Sequence, residues 1–136
     1  MTHLGKAIAI SFVAFAGTAA AQDPDVGETI YMQYCATCHG QDGAGAGPLT
    51  ELMTDKPTDL RLLSQNNPQE AGEFPMLQVL HIIDGRTGLR AHGGPMPTYG
   101  EIFTADAEPS RETYGAVLET RGRILSLALY LESIQQ

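Results

Sequence analysis

Residues 34–48 read YCATCHGQDGAGAGP and hold both cysteines of the chain, Cys35 and Cys38. His39 follows at once, then Gly40, Gly43, Gly45 and Gly47. Four chemistries compete for this arrangement. A Cys35–Cys38 disulfide would close a very small ring, and short loops gain little from chain entropy. A redox dithiol also uses C-x-x-C, but beside a βαβ pattern, and no Val/Ile-rich strand run flanks this one. Tetrahedral zinc wants four ligands, whereas only Cys35, Cys38 and His39 cluster here and no second cysteine pair exists. The fourth reading uses every residue, because C-x-x-C-H is the attachment sequence of a c-type haem. Cys35 and Cys38 would add to neighbouring vinyl groups of one flat ring, and His39 would lie beneath its centre and bind iron axially.

The N-terminus points the same way. Lys6 is the only Lys or Arg in residues 1–21, and the apolar run AIAISFVAFAGTAAA after it ends in small residues. A basic start, a short apolar middle and an A-x-A end predict a secretory signal cut between Ala21 and Gln22. The run is shorter than the about 20 apolar residues a spanning helix needs. The expected organisation is a cleaved signal over residues 1–21 and one domain over 22–136, exported to the periplasm. The 136 residues carry 8 Lys+Arg and 16 Asp+Glu, a net charge of −8. Signal removal takes Lys6 and no acidic residue, which leaves the remainder more negative still. Such a surface argues against nucleic acid and anionic membranes. A chain this small buries a modest core, and 15 Gly and 8 Pro favour loops over packed elements. Something besides side chains would have to complete the interior.

The chain resembles class I (mitochondrial-type) bacterial cytochromes c, with a single haem, over about residues 26–136. Four blocks carry the resemblance: GETIYMQYCATCHGQDGAGAGP, KPTDLRLLSQNN, GGPMPTYGEIF and GRILSLALYLESIQ. The first and third are specific, and the others support them. The resemblance implies an all-α fold, a few helices and long loops wrapped around one covalently bound haem. It further implies that the carbonyl of Pro48 accepts the second N–H of the His39 ring, that a segment near residues 56–63 runs along one side of the haem, and that the last helix crosses the first, with Gly27 and Tyr31 facing Tyr130.

Periodicity places the elements. Val26, Ile30 and Tyr34 fall at i, i+4, i+8 and predict a helix over about residues 26–37, with Asp25 as N-cap. Thr58 or Asp59 is a cap for a short helix through Leu63. Pro75 suits the start and Gly85 the end of a helix, with Leu77, Leu80 and Ile83 or Asp84 at helical spacing. Residues 85–100 are rich in Gly and Pro and predict a loop. Residues 112–136 predict the longest helix, with Val117, Ile124, Leu127, Ala128, Leu131 and Ile134 forming a buried stripe. Gly122 would interrupt it at about 1 kcal/mol, placing its regular part nearer Thr120.

The sixth iron ligand decides what such a protein does. Met32 shares the cysteines' helix, Met53 follows the haem loop closely, and Met76 reads as core. Met96 stands between prolines in PMPTYG, where Pro97 stiffens the backbone, and the resembled family keeps its distal methionine in such an M-P segment. His92, four residues earlier, is the rival donor, while His81 reads as an ordinary helix histidine. A His39/Met96 pair favours Fe(II) relative to two histidines and implies an electron carrier rather than an enzyme. The competing reading is a haem-based peroxidase or gas sensor, which needs an open or displaceable sixth site. A carrier this acidic, taken as a monomer, suits a basic or locally basic redox partner. Lys56, Arg61, Arg86 and Arg90 either form a positive rim near the haem or neutralise its propionates.

Overall fold

The computed structural model describes residues 24–85, 96–107 and 113–136. The expected signal, His92, Arg86 and Arg90 lie outside the described residues. Among the described residues there are five helices, α1 Pro24–Tyr34, α2 Ala36–His39, α3 Met76–Asp84, α4 Tyr99–Ala105 and α5 Thr113–Ser133, and two 3₁₀ turns, Pro48–Leu52 and Leu60–Leu62. There is no strand among the described residues, so the fold is all-α, as the sequence led one to expect.

Helix α1 starts at Pro24, whose fixed φ suits a first helical position. Asp25 therefore lies inside the first turn rather than capping it, and its carbonyl accepts the Thr29 hydroxyl at 2.9 Å. The buried face also differs from the expected one. Val26 is 48% exposed, while Ile30 and Tyr31 are buried. The reason is the crossing with α5. A Cβ on Gly27 would stand inside the Ser126 carbonyl oxygen and 2.7 Å from Tyr130 Cβ. The two backbones touch there, and the face holding Gly27, Ile30 and Tyr31 turns inward. The Tyr31 and Tyr130 rings meet at 5.2 Å, within the favourable range for aromatic pairs.

Helix α5 supplies the inner wall, burying Ile124, Leu127, Ala128 and Leu131 as its periodicity predicts, together with Tyr130. It does not wait until Thr120 to become regular. Gly122 is exposed, with open space where a Cβ would be, so its intrinsic cost falls on the solvent face and is outweighed by packing on the other. A second aromatic group ties α4 to α1: Tyr34, Tyr99 and Phe103 meet with centroids 5.2–6.0 Å apart. Arg123 lies over Phe103 at 5.8 Å while pairing with Glu119 one turn earlier at 2.7 Å.

Helix α3 begins after Pro75 and ends at Gly85, whose φ of 86° is the left-handed cap that Gly adopts without strain. Its buried residues are Val79 and Ile83, whereas Leu77 is 66% exposed. Helix α4 was not legible as a helix, because its seven residues follow directly on a Gly/Pro-rich run. Gly85 and Thr98 come so close that a Cβ on Gly85 would lie 2.7 Å from the Thr98 methyl.

Candidate haem-binding site

Cys35 closes α1, its amide donating to the Tyr31 carbonyl at 2.8 Å, and its own carbonyl then accepts from Cys38 (3.1 Å) and His39 (2.9 Å). This single turn is α2. It places the two sulfurs and the imidazole around one bend of the chain, and both thiols are free rather than joined. The bend is closed by glycine. Gly47 passes so near that a Cβ would strike the carbonyls of Ala36 and Thr37 and the backbone of Cys38, and its amide donates to the Cys38 carbonyl at 3.0 Å. The Tyr31 hydroxyl donates to the Gly40 carbonyl at 2.6 Å, strapping the loop to α1.

Beside this turn lies a partly open cleft of about 180 Å³, which Cys38, half-buried, does not line. Tyr31, Cys35 and His39 form one side, Val79, Ile82 and Ile83 of α3 another, Leu127 and Leu131 of α5 the back, and Thr58, Leu60 and Leu63 a loop wall. Met96 completes the ring and is, among the described residues, the one methionine that lines it. Met32 is 42% exposed on α1. Met53 and Met76 line no part of the cleft, and His81 borders a separate groove between α3 and α5.

His39 Nδ1 lies 3.3 Å from the Thr58 carbonyl. A carbonyl can only accept, so the pair is a hydrogen bond when the ring proton sits on Nδ1, the tautomer in which Nε2 is the nitrogen able to bind a metal. Pro48, which the resemblance suggested for this role, opens the first 3₁₀ turn as an exposed residue and does not line the cleft. The KPTDL stretch does supply a wall, and Asp59 caps its short helix by accepting from the Arg61 amide at 3.0 Å.

Of the four basic residues singled out above, the two that are described, Arg61 and Lys56, both have partners. Arg61 forks onto Asp59 with contacts of 3.0 and 2.8 Å and reaches Asp42 at 3.8 Å. The Arg61 hydrogen bond holds the Asp59 carboxyl below the usual range. Lys56 donates to the Thr50 carbonyl at 2.7 Å. Burial pushes the Cys35 thiol up to about 12, reinforced by Cys38. Tyr99, which donates to the Tyr34 carbonyl at 2.8 Å, is pushed up to about 12, by burial first and then by Cys35.

Two signals in the sequence could have found more of this site. The β-branched triplet Val79, Ile82, Ile83 sits at i, i+3, i+4 and marks the wall of α3 better than the leucines do. Tyr99, two residues after Pro97, ties the start of α4 to the end of α1 through its hydroxyl.

The donor set fits a haem. One imidazole, one thioether and two cysteine sulfurs are the protein groups that hold iron porphyrin covalently and axially, and the other cleft residues are almost all apolar. The arrangement is that of a c-type cytochrome domain, a class that carries covalent haem c and transfers electrons. The family model for cytochrome C oxidase, cbb3-type, subunit III matches residues 22–109, more than half of the 136 residues, and the chain belongs to this family. No curated protein and no solved structure matches the chain.

Proposed function

We propose that this chain is an exported class I cytochrome with one haem, ligated by His39 and Met96 and stitched on through Cys35 and Cys38, that relays single electrons between redox proteins. The observation that carries the reading is the meeting of His39, Cys35 and Met96 on one apolar cleft. Such a haem, when bound, supplies a one-electron couple and needs no substrate pocket. His39 presents Nε2 because its Nδ1–H is taken by a backbone carbonyl, with Thr58 the supported partner and Pro48 the one the resemblance suggests. Met96 offers a soft sulfur from a segment stiffened by Pro97. The leucine, isoleucine and valine walls exclude water, which disfavours the extra positive charge of the ferric state.

Residues 1–21 serve as a cleaved signal, and 22–136 form the single periplasmic domain, working as a monomer. The acidic surface suits a basic partner, since charge steering raises the encounter rate and fades with salt. Arg61, committed to Asp59 and Asp42, serves better as an internal strap than as a docking cation. The matched family is described as a subunit of an oxidase, so the same site serves a free carrier or a subunit held in a larger complex. Co-purification from the native membrane separates the two.

The test is the visible spectrum and mass of the exported protein. The mass should equal residues 22–136 plus one haem, with colour surviving a denaturing gel. Met96→Ala should keep that colour, open the iron to carbon monoxide and lower the potential by on the order of 100 mV. A wild-type protein that binds carbon monoxide readily points instead to the gas-binding or peroxidase reading. A thioether-to-iron charge-transfer band that survives Met96→Ala removes Met96 from the iron.

A further inference from the structure

The side chain of Gln135 satisfies three backbone groups at once. Its Oε1 accepts the Ser64 amide at 2.9 Å, and its Nε2 donates to the carbonyls of Leu60 and Leu131 at 2.7 Å each. Two carbonyls can only accept and an amide N–H can only donate, so these partners fix the orientation of the side-chain amide. Ser64 is buried, and Gln135 is partly so. The neighbouring residue adds a parallel tie, the Gln136 amide donating to the Arg61 carbonyl at 3.1 Å. Apart from Leu131 of α5, the groups bonded by Gln135 belong to residues 60–64, and Leu60 and Leu63 of that segment are one wall of the cleft. The wall has little regular structure of its own, only the single turn Leu60–Leu62. Its position therefore depends on its outside ties, which include this clamp to α5 and the bond from the Leu60 amide to the Gly43 carbonyl at 2.8 Å.

We infer that Gln135 is a positioning residue for the redox centre: its amide holds the Leu60–Leu63 wall against α5 and so keeps water out of the cleft. The inference rests on the haem reading above, because a dry wall changes electron affinity only if a charge-bearing iron sits behind it. Release of the clamp admits water beside the ring, water stabilises the ferric charge, and the equilibrium moves toward the oxidised state. The residue touches neither His39 nor Met96 in this network, so it acts through the wall alone.

The experiment uses the holoprotein. Gln135→Met keeps length and apolar bulk but removes all three hydrogen bonds. Gln135→Glu keeps the acceptor toward Ser64 and sets a carboxylate against the two carbonyls. Ser133→Ala is the control, since the Ser133 hydroxyl bonds only to Tyr130 of its own helix, at 2.7 Å. Wild type should show slow hydrogen exchange at the Ser64 amide. Gln135→Met should speed that exchange by about tenfold or more, for the loss of one such bond and its neighbours. It should also shift the reduction equilibrium about threefold toward the oxidised form, about 28 mV at 59 mV per tenfold. Gln135→Glu should shift in the same direction, and Ser133→Ala should do neither. A wild-type midpoint in folded Gln135→Met overturns the proposal, as does an equal shift in Ser133→Ala. Where the variants do not fold, a wild-type Ser64 amide that exchanges at the rate of an open loop overturns it alone. Colourless protein on the denaturing gel is the separate failure of the haem reading, seen before any midpoint is measured.

Discussion

The two sides of α5 are built on different terms. Toward α1 the helix is closed against its neighbour: Gly27 lets the backbones touch, the Tyr31 and Tyr130 rings meet at a tilt, and Ala128 is fully buried. Toward α3 and the 60–64 loop it faces a cleft, and Leu127 and Leu131 point apolar surface at space that Val79, Ile83, Leu60 and Leu63 do not fill. Side chains alone complete the first half of the core. The second half has walls, donors and a mouth but no interior of its own, which is how a small, Gly- and Pro-rich chain can reach a stable size with a prosthetic group as part of its core.

The sharpest way to break this contrast is at the closed half. Gly27→Val places branched carbon where the Ser126 carbonyl already stands, and neither backbone can retreat without opening the whole crossing. Overpacking usually costs 1–3 kcal/mol, and here, against backbone, the expected loss is about 3 kcal/mol or more. Urea unfolding followed by circular dichroism measures it. A loss below about 1 kcal/mol would mean that the crossing is loose, and the contrast between the two halves would fail.

A middle-sized effect sits where the halves join. Tyr99 is neutral when buried, and its pKa rises from 10.0 to about 12. Above pH 10 the unfolded chain gives up that proton while the folded one keeps it, so stability falls as pH rises. The contribution is complete below about pH 10 and lost as pH passes about 12, on the order of 2 kcal/mol at 1.36 kcal/mol per unit. Unfolding at pH 9 and pH 11.5 should show this loss in wild type and a smaller one in Tyr99→Phe. Tyr31 is raised further by its own burial, so wild type keeps some alkaline sensitivity in either case. Equal slopes in the two proteins would show that Tyr99 is wet, and that the start of α4 is not sealed against α1.

How much of this was legible in the sequence follows the same division. Features decided within a few residues could be read: the C-x-x-C-H turn, the Asp59 cap, the Pro75 start and Gly85 stop of α3, and the apolar stripe of α5. The helical fold class follows from them. The inward faces of α1 and α3 could not be read so well. Val26 and Leu77 score as core by spacing, yet both are exposed, because the crossing at Gly27 and the cleft wall at Val79 and Ile83 decide which face turns in. Helix α4 was hidden by the prolines before it. The Thr58 carbonyl near His39 and the Gln135 clamp were out of reach altogether, since one joins residues 19 apart and the other residues 71 and 75 apart, and no local period encodes such pairs.

The smallest expected effect tests the boundary itself. Tyr31 belongs to both halves: its ring packs on Tyr130, its edge lines the cleft, and its hydroxyl donates to the Gly40 carbonyl just past His39. Tyr31→Phe keeps the ring in both places and removes only the strap. The Gly40 carbonyl still accepts from the Gly43 amide at 3.3 Å, so it is not left bare, and the cost should be that of one hydrogen bond, about 1 kcal/mol. Because the bond joins two parts of the polypeptide, the visible spectrum should keep its band positions while urea unfolding shifts. A moved band would place the hydroxyl against the bound group instead of Gly40, and Tyr31 would then belong to the cleft rather than to the seam between the two halves.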